Sequence, residues 1–285
     1  MGSGLDNLTL LVEDMAGIDN LKDIANQLTR WRPVKRGDTN GDRAAPKAAE
    51  PASGLRDRYQ QLSRSALDLL FPMQCLGCGK EDTALCADCA ASLPRLTPPF
   101  CRVCAQPEAA ELCNWCAEAL PPIDGIRSLY LMEGVARESI HSLKYRNVRT
   151  LAPYLSRLMA QHLRDHPIPG DLLVPVPLHP KRLRDRGYNQ AGLLAQELSK
   201  LTGLPVDEEM MVRSKNNPSQ VRSASREQRQ LNVKDSFHAL GNPEGRSILL
   251  IDDVATTGST LFACANALKR AGAGSVWGLT LAKEP

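Results

Sequence analysis

Hydrophobic positions along the chain switch between two periods. Ile126–Met132 alternates like a strand, and Ser275–Ala282 does so near the end. Leu172–Val176 and Ile248–Ile251 are short unbroken apolar runs, the pattern of strands buried on both faces. Between these runs the apolar residues recur at helical spacing. Val135–Leu143 is one stripe. Leu151, Leu155, Leu158, Met159 and Leu163 form a second. Ala191, Leu194, Ala195, Leu198 and Leu201 form a third. Leu261–Ala271 is a fourth, followed by Gly272 and Gly274 as stop signals. Strands alternating with helices predict an α/β fold on a mostly parallel sheet.

The chain ahead of this rhythm differs. Residues 55–73 carry a short helical pattern (Leu62, Leu67, Leu69, Leu70) that ends at Phe71-Pro72. Upstream, apolar recurrence from Leu8 to Leu28 breaks near Gly17. Pro33, Gly37, Gly41, Pro46, Pro51 and Gly54 then punctuate a stretch of alanines and charges. The expected division is a flexible extension over 1–64, a cysteine module over 65–120 and an α/β domain over 121–285.

Composition narrows the class. With 285 residues, 42% hydrophobic, the chain is neither collagen-like, wholly disordered nor a coiled coil. It holds no apolar run near 18 residues and no basic-then-apolar signal pattern, so no membrane insertion and a cytoplasmic location are expected. The net charge of +3 conceals asymmetry. Residues 65–140 carry 5 Lys/Arg against 10 Asp/Glu, residues 141–186 carry 9 against 3, and residues 213–234 carry 6 against 1. The two basic stretches suit phosphates, from a small substrate or from nucleic acid.

Eight of nine cysteines lie within residues 75–116, in four Cys-x-x-Cys pairs: Cys75/Cys78, Cys86/Cys89, Cys101/Cys104 and Cys113/Cys116. Each pair sets two thiolates on one tight turn, where they can share a tetrahedral ion. The halves read C-x2-C-x7-C-x2-C and C-x2-C-x8-C-x2-C, so the expectation is structural zinc, with two ions the natural count. Pairing within or across the halves stays open. All-sulfur ligation closes a site to catalysis, and a module so short of large apolar residues needs its metal to fold. A thioredoxin-like redox role is the weaker alternative, because four pairs cluster outside any βαβ context. Cys264 stands alone in a helical stripe, as a small core hydrophobe does.

The sharpest motif is Ile248-Leu249-Leu250-Ile251-Asp252-Asp253-Val254-Ala255-Thr256-Thr257-Gly258-Ser259-Thr260. A buried strand delivers two acids at its C-terminal end, where open α/β sheets place ligands. A hydroxyl-rich turn around Gly258 then opens a helix. Backbone N–H groups there, with the hydroxyls of Thr256, Thr257, Ser259 and Thr260, form a phosphate cradle. The carboxylates repel phosphate but accept hydrogen bonds from sugar hydroxyls. One motif thus suits a ribose bearing a 5′-phosphate. It lacks the P-loop order and resembles the thirteen-residue phosphoribosyl pyrophosphate (PRPP) motif of type I phosphoribosyltransferases.

Two further blocks are basic. Val174-Pro175-Val176-Pro177-Leu178-His179-Pro180 leaves a strand and leads into Lys181, Arg182, Arg184 and Arg186 on a rigid exposed loop, then Gly187-Tyr188-Asn189-Gln190. Clustered guanidinium groups suit pyrophosphate. Residues 215–233, with Arg222, Arg226 and Arg229, are polar and poor in core residues; a mobile flap over an anionic ligand and a plain solvated loop are equally good accounts.

In this order the blocks resemble the ComF family, whose members join an N-terminal double zinc ribbon to a type I phosphoribosyltransferase-like domain. The resemblance spans roughly residues 67–283. Its marks are Phe71-Pro72 before the first cysteine pair, Leu143-Lys144-Tyr145, Val174-Pro175-Val176-Pro177, Arg186-Gly187-Tyr188-Asn189-Gln190, Arg229 with Asn232-Val233 and Phe237, and Asp252–Thr260. Residues 1–64 lie outside it. The resemblance implies a role in DNA uptake during natural competence, on internalised single-stranded DNA. By analogy, Thr256, Thr257, Gly258, Ser259 and Thr260 hold the 5′-phosphate. Asp252 and Asp253 hold the ribose hydroxyls and stabilise positive charge at the anomeric carbon. Lys181, Arg182 and Arg186 face the pyrophosphate, Arg229 is a further substrate-binding residue, and Mg²⁺ accompanies PRPP. The two functional classes it leaves are a phosphoribosyltransferase and a non-catalytic phosphosugar sensor or single-strand DNA adaptor docking a competence helicase.

Overall fold

The computed structural model describes residues 73–109, 111–214 and 236–285. The expected extension over 1–64, the helical pattern over 55–72 and most of the basic segment after Arg213 lie outside them. Within the described residues the fold is the expected α/β arrangement on a fully parallel four-stranded sheet. Its strands are β1 (Gly125–Leu131), β2 (Leu172–Pro175), β5 (Ser247–Ala255) and β6 (Ser275–Lys283), ordered β1-β6-β5-β2. β5 and β6 form the centre and are the longest; they pair from Ser247 opposite Ser275 to Ala255 opposite Lys283. Their near-continuous burial is what a parallel sheet covered on both faces requires.

Alternation along β5 divides the core in two. Leu249 and Ile251 face one side, where they pack with Leu143 of α3 (Gly134–Tyr145), Leu155 and Met159 of α4 (Ala152–Asp165) and Leu194 and Leu198 of α6 (Gln190–Thr202). Ile248 and Leu250 face the other, with Leu261, Cys264 and Leu268 of α7 (Ser259–Arg270). Cys264 is fully buried there, in the core role its stripe suggested.

Two elements differ from the periodicity. The Lys181–Arg186 stretch is the helix α5 (Pro180–Arg186), where an exposed loop was expected. Proline occupies its first turn, His179 caps it by accepting Lys181 N–H at 3.1 Å, and Gly187 ends it at φ +78°. A seven-residue helix carries too few apolar positions to leave a stripe. The second is an antiparallel pair, β3 (Met211–Arg213) and β4 (Phe237–Ala239), at the two ends of the basic segment. Three-residue strands are too short to show a period of two.

The cysteine module rides on the β1 edge. Its halves contain the short helices α1 (Ala87–Ala91) and α2 (Asn114–Glu118), each starting just after a cysteine. The link between halves, Pro94–Leu96, runs antiparallel along β1: Leu131 N–H donates to Pro94 O at 2.8 Å and Leu96 N–H to Leu129 O at 2.9 Å. The outer edge of the sheet is thereby covered rather than left to pair with another chain. The first half packs on one sheet face with Leu129, Tyr130 and Ala136, and the second on the other with Ile126 and Phe262. The module therefore straddles β1 and shares both cores.

Candidate functional site

The four-cysteine groups close within the halves. The sulfurs of Cys75, Cys78, Cys86 and Cys89 lie within 4.8 Å of one another, as do those of Cys101, Cys104, Cys113 and Cys116. This resolves the open pairing as sequential. The electrostatics fit a divalent ion. Burial pushes the Cys75 thiol up, but N–H groups of Cys86, Gly77 and Cys78 outweigh it and bring it to about 6. Cys101 reaches about 6 by the same balance, with N–H groups of Cys104, Cys113 and Val103. Their neighbours move oppositely: hydrogen bonding to Cys86 and then burial push Cys89 up to about 12, and burial with the negative charge of Cys104 raises Cys116. Four sulfurs this close cannot all ionise unaided; a zinc ion lets them.

The acids lie inside β5, because the strand runs to Ala255 and not to Ile251 as its apolar run suggested. Adjacent strand residues point to opposite faces. Asp253 points to the α3 face, is 2% exposed and pairs with Lys144 at 2.8 Å. Burial opposes the Lys144 charge, but Asp253 outweighs it and raises the ammonium pKa. Asp252 points to the α7 face, half-buried, and accepts Asp253 N–H at 2.9 Å. Burial and the Asp253 charge hold its carboxyl well above the usual range, with Lys144 offsetting part.

The hairpin follows directly. Gly258 sits at φ +82°, and a Cβ there would meet Phe262 Cζ at 2.7 Å, so both backbone and space demand glycine. Ser259 then starts α7; its N-cap, Gly258, has no side chain to offer, and Thr257 Oγ1 accepts the Ser259 N–H at 3.4 Å. Its first-turn N–H groups point ahead of the helix, the arrangement that receives anions. The hydroxyls of Thr257 and Ser259 bond each other at 2.7 Å. Lys283, 1% exposed at the end of β6, donates to Thr256 O at 2.7 Å and to Glu284 O, tying the hairpin to the sheet.

The basic side chains divide by helical position. Arg182 and Arg186, four apart on α5, are half-buried; Lys181 and Arg184 are exposed. Arg186 bonds Gln190 and stands 5.3 Å over the Tyr145 ring. Tyr145 follows Lys144, so this pair adjoins the Asp253 anchor. Arg182 faces Arg213, whose guanidinium is shifted down by burial and then by Arg182. Arg229 lies outside the described residues.

Arg213, Lys144 and Lys283 were not singled out as site residues from the sequence. Arg213 ends β3 at 8% exposure, stands 5.1 Å over the Phe237 ring and feels the Asp252 charge; among the described residues its Nε has no acceptor. Each follows an apolar stretch, and Lys144 also lies in the Leu143-Lys144-Tyr145 block of the family resemblance.

A parallel sheet with an acid-bearing central strand, a glycine-opened helix start beyond it, and two tetrathiolate clusters define a phosphoribosyltransferase-fold protein with a double zinc ribbon. Family models match accordingly: a double zinc ribbon domain over residues 66–120 and a phosphoribosyl transferase domain over residues 156–285. Competence protein ComFC of Bacillus subtilis is 30% identical over 215 residues, covering 72% of this chain and 86% of that protein. Competence protein F of Haemophilus influenzae is 31% identical over 228 residues, covering 74% and 98%. DNA utilization protein YhgH of Escherichia coli K12 is 30% identical over 208 residues, covering 71% and 85%. The chain belongs to the ComF family. Among solved structures, a purine phosphoribosyltransferase from Pyrococcus horikoshii aligns at 18% identity and TM-score 0.30, over 46% of this chain and 71% of that one. The PRPP amidotransferase of B. subtilis aligns at 19% and 0.32, over 47% of this chain; the chain spans about a quarter of its length, 26%.

Proposed function

We propose that the chain binds PRPP or a related phosphosugar along Asp252–Thr260 and transfers its phosphoribosyl group to an acceptor in the handling of incoming DNA. The observation that carries this is the hairpin. Gly258 opens a helix start without an N-cap side chain, a short turn beyond Asp252 and Asp253. Thr256–Thr260 receive the 5′-phosphate through N–H and hydroxyl donors. Asp252, which reaches the surface, accepts from the ribose hydroxyls. Asp253, anchored by Lys144, contributes negative charge beneath the sugar. When the bond from the anomeric carbon to pyrophosphate breaks, its electron pair leaves with pyrophosphate and the sugar carbon turns positive. The acids stabilise that charge, and Lys181, Arg182 and Arg186 face the departing pyrophosphate. Mg²⁺ bound with PRPP would neutralise phosphate charge, and Asp252 would be the carboxylate that meets it. The zinc clusters are structural, and the working division remains 1–64, 65–120 and 121–285.

The names of the relatives support a setting in competence or DNA utilisation. Among the described residues no helix is long and apolar enough to cross a membrane. A second reading, a non-catalytic single-strand DNA adaptor docking a competence helicase, is favoured by Tyr145. That ring is 66% exposed, with Arg186 over it and the His141 ring 4.8 Å away, the pairing of aromatic surface and cation that stacks bases.

Titration calorimetry with PRPP and Mg²⁺ tests the first reading. Wild type binds and Asp252→Asn loses at least tenfold in affinity; absence of wild-type binding at millimolar PRPP rejects it. Pyrophosphate release in the presence of an acceptor separates transfer from binding. Salt-sensitive strand binding that survives Asp252→Asn but weakens in Tyr145→Ala supports the adaptor.

A further inference from the structure

The second zinc ribbon reaches the hairpin through two routes. Trp115, between the ligands Cys113 and Cys116, stacks on Phe262 of α7 with centroids 5.4 Å apart and planes 8° from parallel. Phe262 is buried, and its ring tip occupies the space a Cβ of Gly258 would need, at 2.7 Å. The other wall of that space is Ile126 Cδ1, at 3.2 Å. Ile126 N–H donates to Val103 O at 2.8 Å, on the turn between Cys101 and Cys104. Both side chains that enclose the hairpin glycine are therefore held by the second ribbon: one by ring stacking, the other by a backbone hydrogen bond. Arg127 adds a third tie, donating to Arg102 O at 2.9 Å. Phe262 also lies one turn into the helix whose first N–H groups face the ligand, and its own N–H closes on Gly258 O at 2.9 Å.

Packed interiors transmit small displacements because neighbours have no free volume in which to relax. We propose that Trp115 is a positioning residue for the phosphate hairpin: through Phe262 it holds Gly258 and the start of α7 in ligand-ready shape. The second ribbon is thus part of the phosphosugar site. The first ribbon packs on the opposite sheet face. The ligand half of this proposal rests on the PRPP reading; the coupling between ribbon and hairpin does not.

Hydrogen exchange and calorimetry on the full chain test the two halves separately. In Trp115→Ala, amides of 257–262 exchange at least about tenfold faster while those of Ile248–Ile251 keep their rate. PRPP·Mg²⁺ affinity falls about tenfold, the effect of losing a stacked aromatic pair. Trp115→Phe, which keeps a ring on Phe262, restores both to within about twofold, a rescue that a merely bulky residue would not give. Phe262→Leu reproduces the loss with the ribbon untouched. Zinc content is measured on each sample. Unchanged exchange in Trp115→Ala and Phe262→Leu overturns the proposal, as does loosening that appears only when zinc is lost. Wild type that binds no PRPP, with exchange still accelerated in Trp115→Ala, rejects the phosphosugar reading and upholds the coupling.

Discussion

At the residue scale, the two acids have different tasks because they face different sides of one strand. Asp252 carries a cost that Lys144 offsets only in part: burial and then the Asp253 charge oppose its ionisation. Its folded pKa is raised, so the folded chain is favoured while the carboxyl keeps its proton. Stability then declines as pH rises from the ordinary carboxylate range through the raised value. Asp252→Asn removes that decline. Thermal unfolding at pH 8 should show its midpoint raised by about 2–4 °C, alongside the lost PRPP affinity. Asp253 differs in having a direct cationic partner, Lys144 at 2.8 Å. Lys144→Met leaves its charge buried without a partner and should cost about 3 kcal/mol in denaturant unfolding; Lys144→Met with Asp253→Asn should recover most of it. Gly258→Ala imposes a left-handed backbone and a clash with Phe262, for about 1–3 kcal/mol of stability and loss of phosphate binding.

At the element scale, helices do the positioning. α3 delivers Lys144 to β5, α5 sorts the basic residues, and α7 presents its start to the ligand. α4 carries a pH-sensitive feature. Burial, then the neighbouring His166, lowers His162 to about 4, and its Nε2 finds no partner among the described residues. Below about pH 6.5 the unfolded chain takes up a proton that the folded chain refuses. Stability conferred by neutral His162 is therefore complete above that pH and drains as pH falls toward about 4. His162→Leu should flatten this part of the curve of denaturant midpoint against pH. The α4 stripe itself was plain in the sequence, as were β1, β2, β5, β6, α3, α6 and α7, because each spans enough residues for its period to repeat. α5, β3 and β4 did not, being one or two turns of pattern at most.

At the scale of the whole molecule, the ribbons are built into the sheet. They sit on either face of β1, share both cores and cover its edge. Metal analysis should give about two zinc ions per chain. Chelation should lower the unfolding temperature of the α/β domain together with that of the ribbons, in one transition; a separate early transition in calorimetry would show that they fold apart. The family's acid-and-hairpin motif and its cysteine pairs were legible as strings because their chemistry depends on short spacing. Ligands three residues apart share an ion, and a glycine beside a helix start leaves N–H groups open. Those facts, and the alternation of strands with helices, the chain determines alone. Which face each acid takes, that Lys144 pairs with Asp253, that Arg213 feels the Asp252 charge and that Trp115 stacks on Phe262 were decided only on folding. Each joins residues far apart in sequence, and such meetings are set by how the sheet twists its elements together and fills the space between them, which no local pattern records.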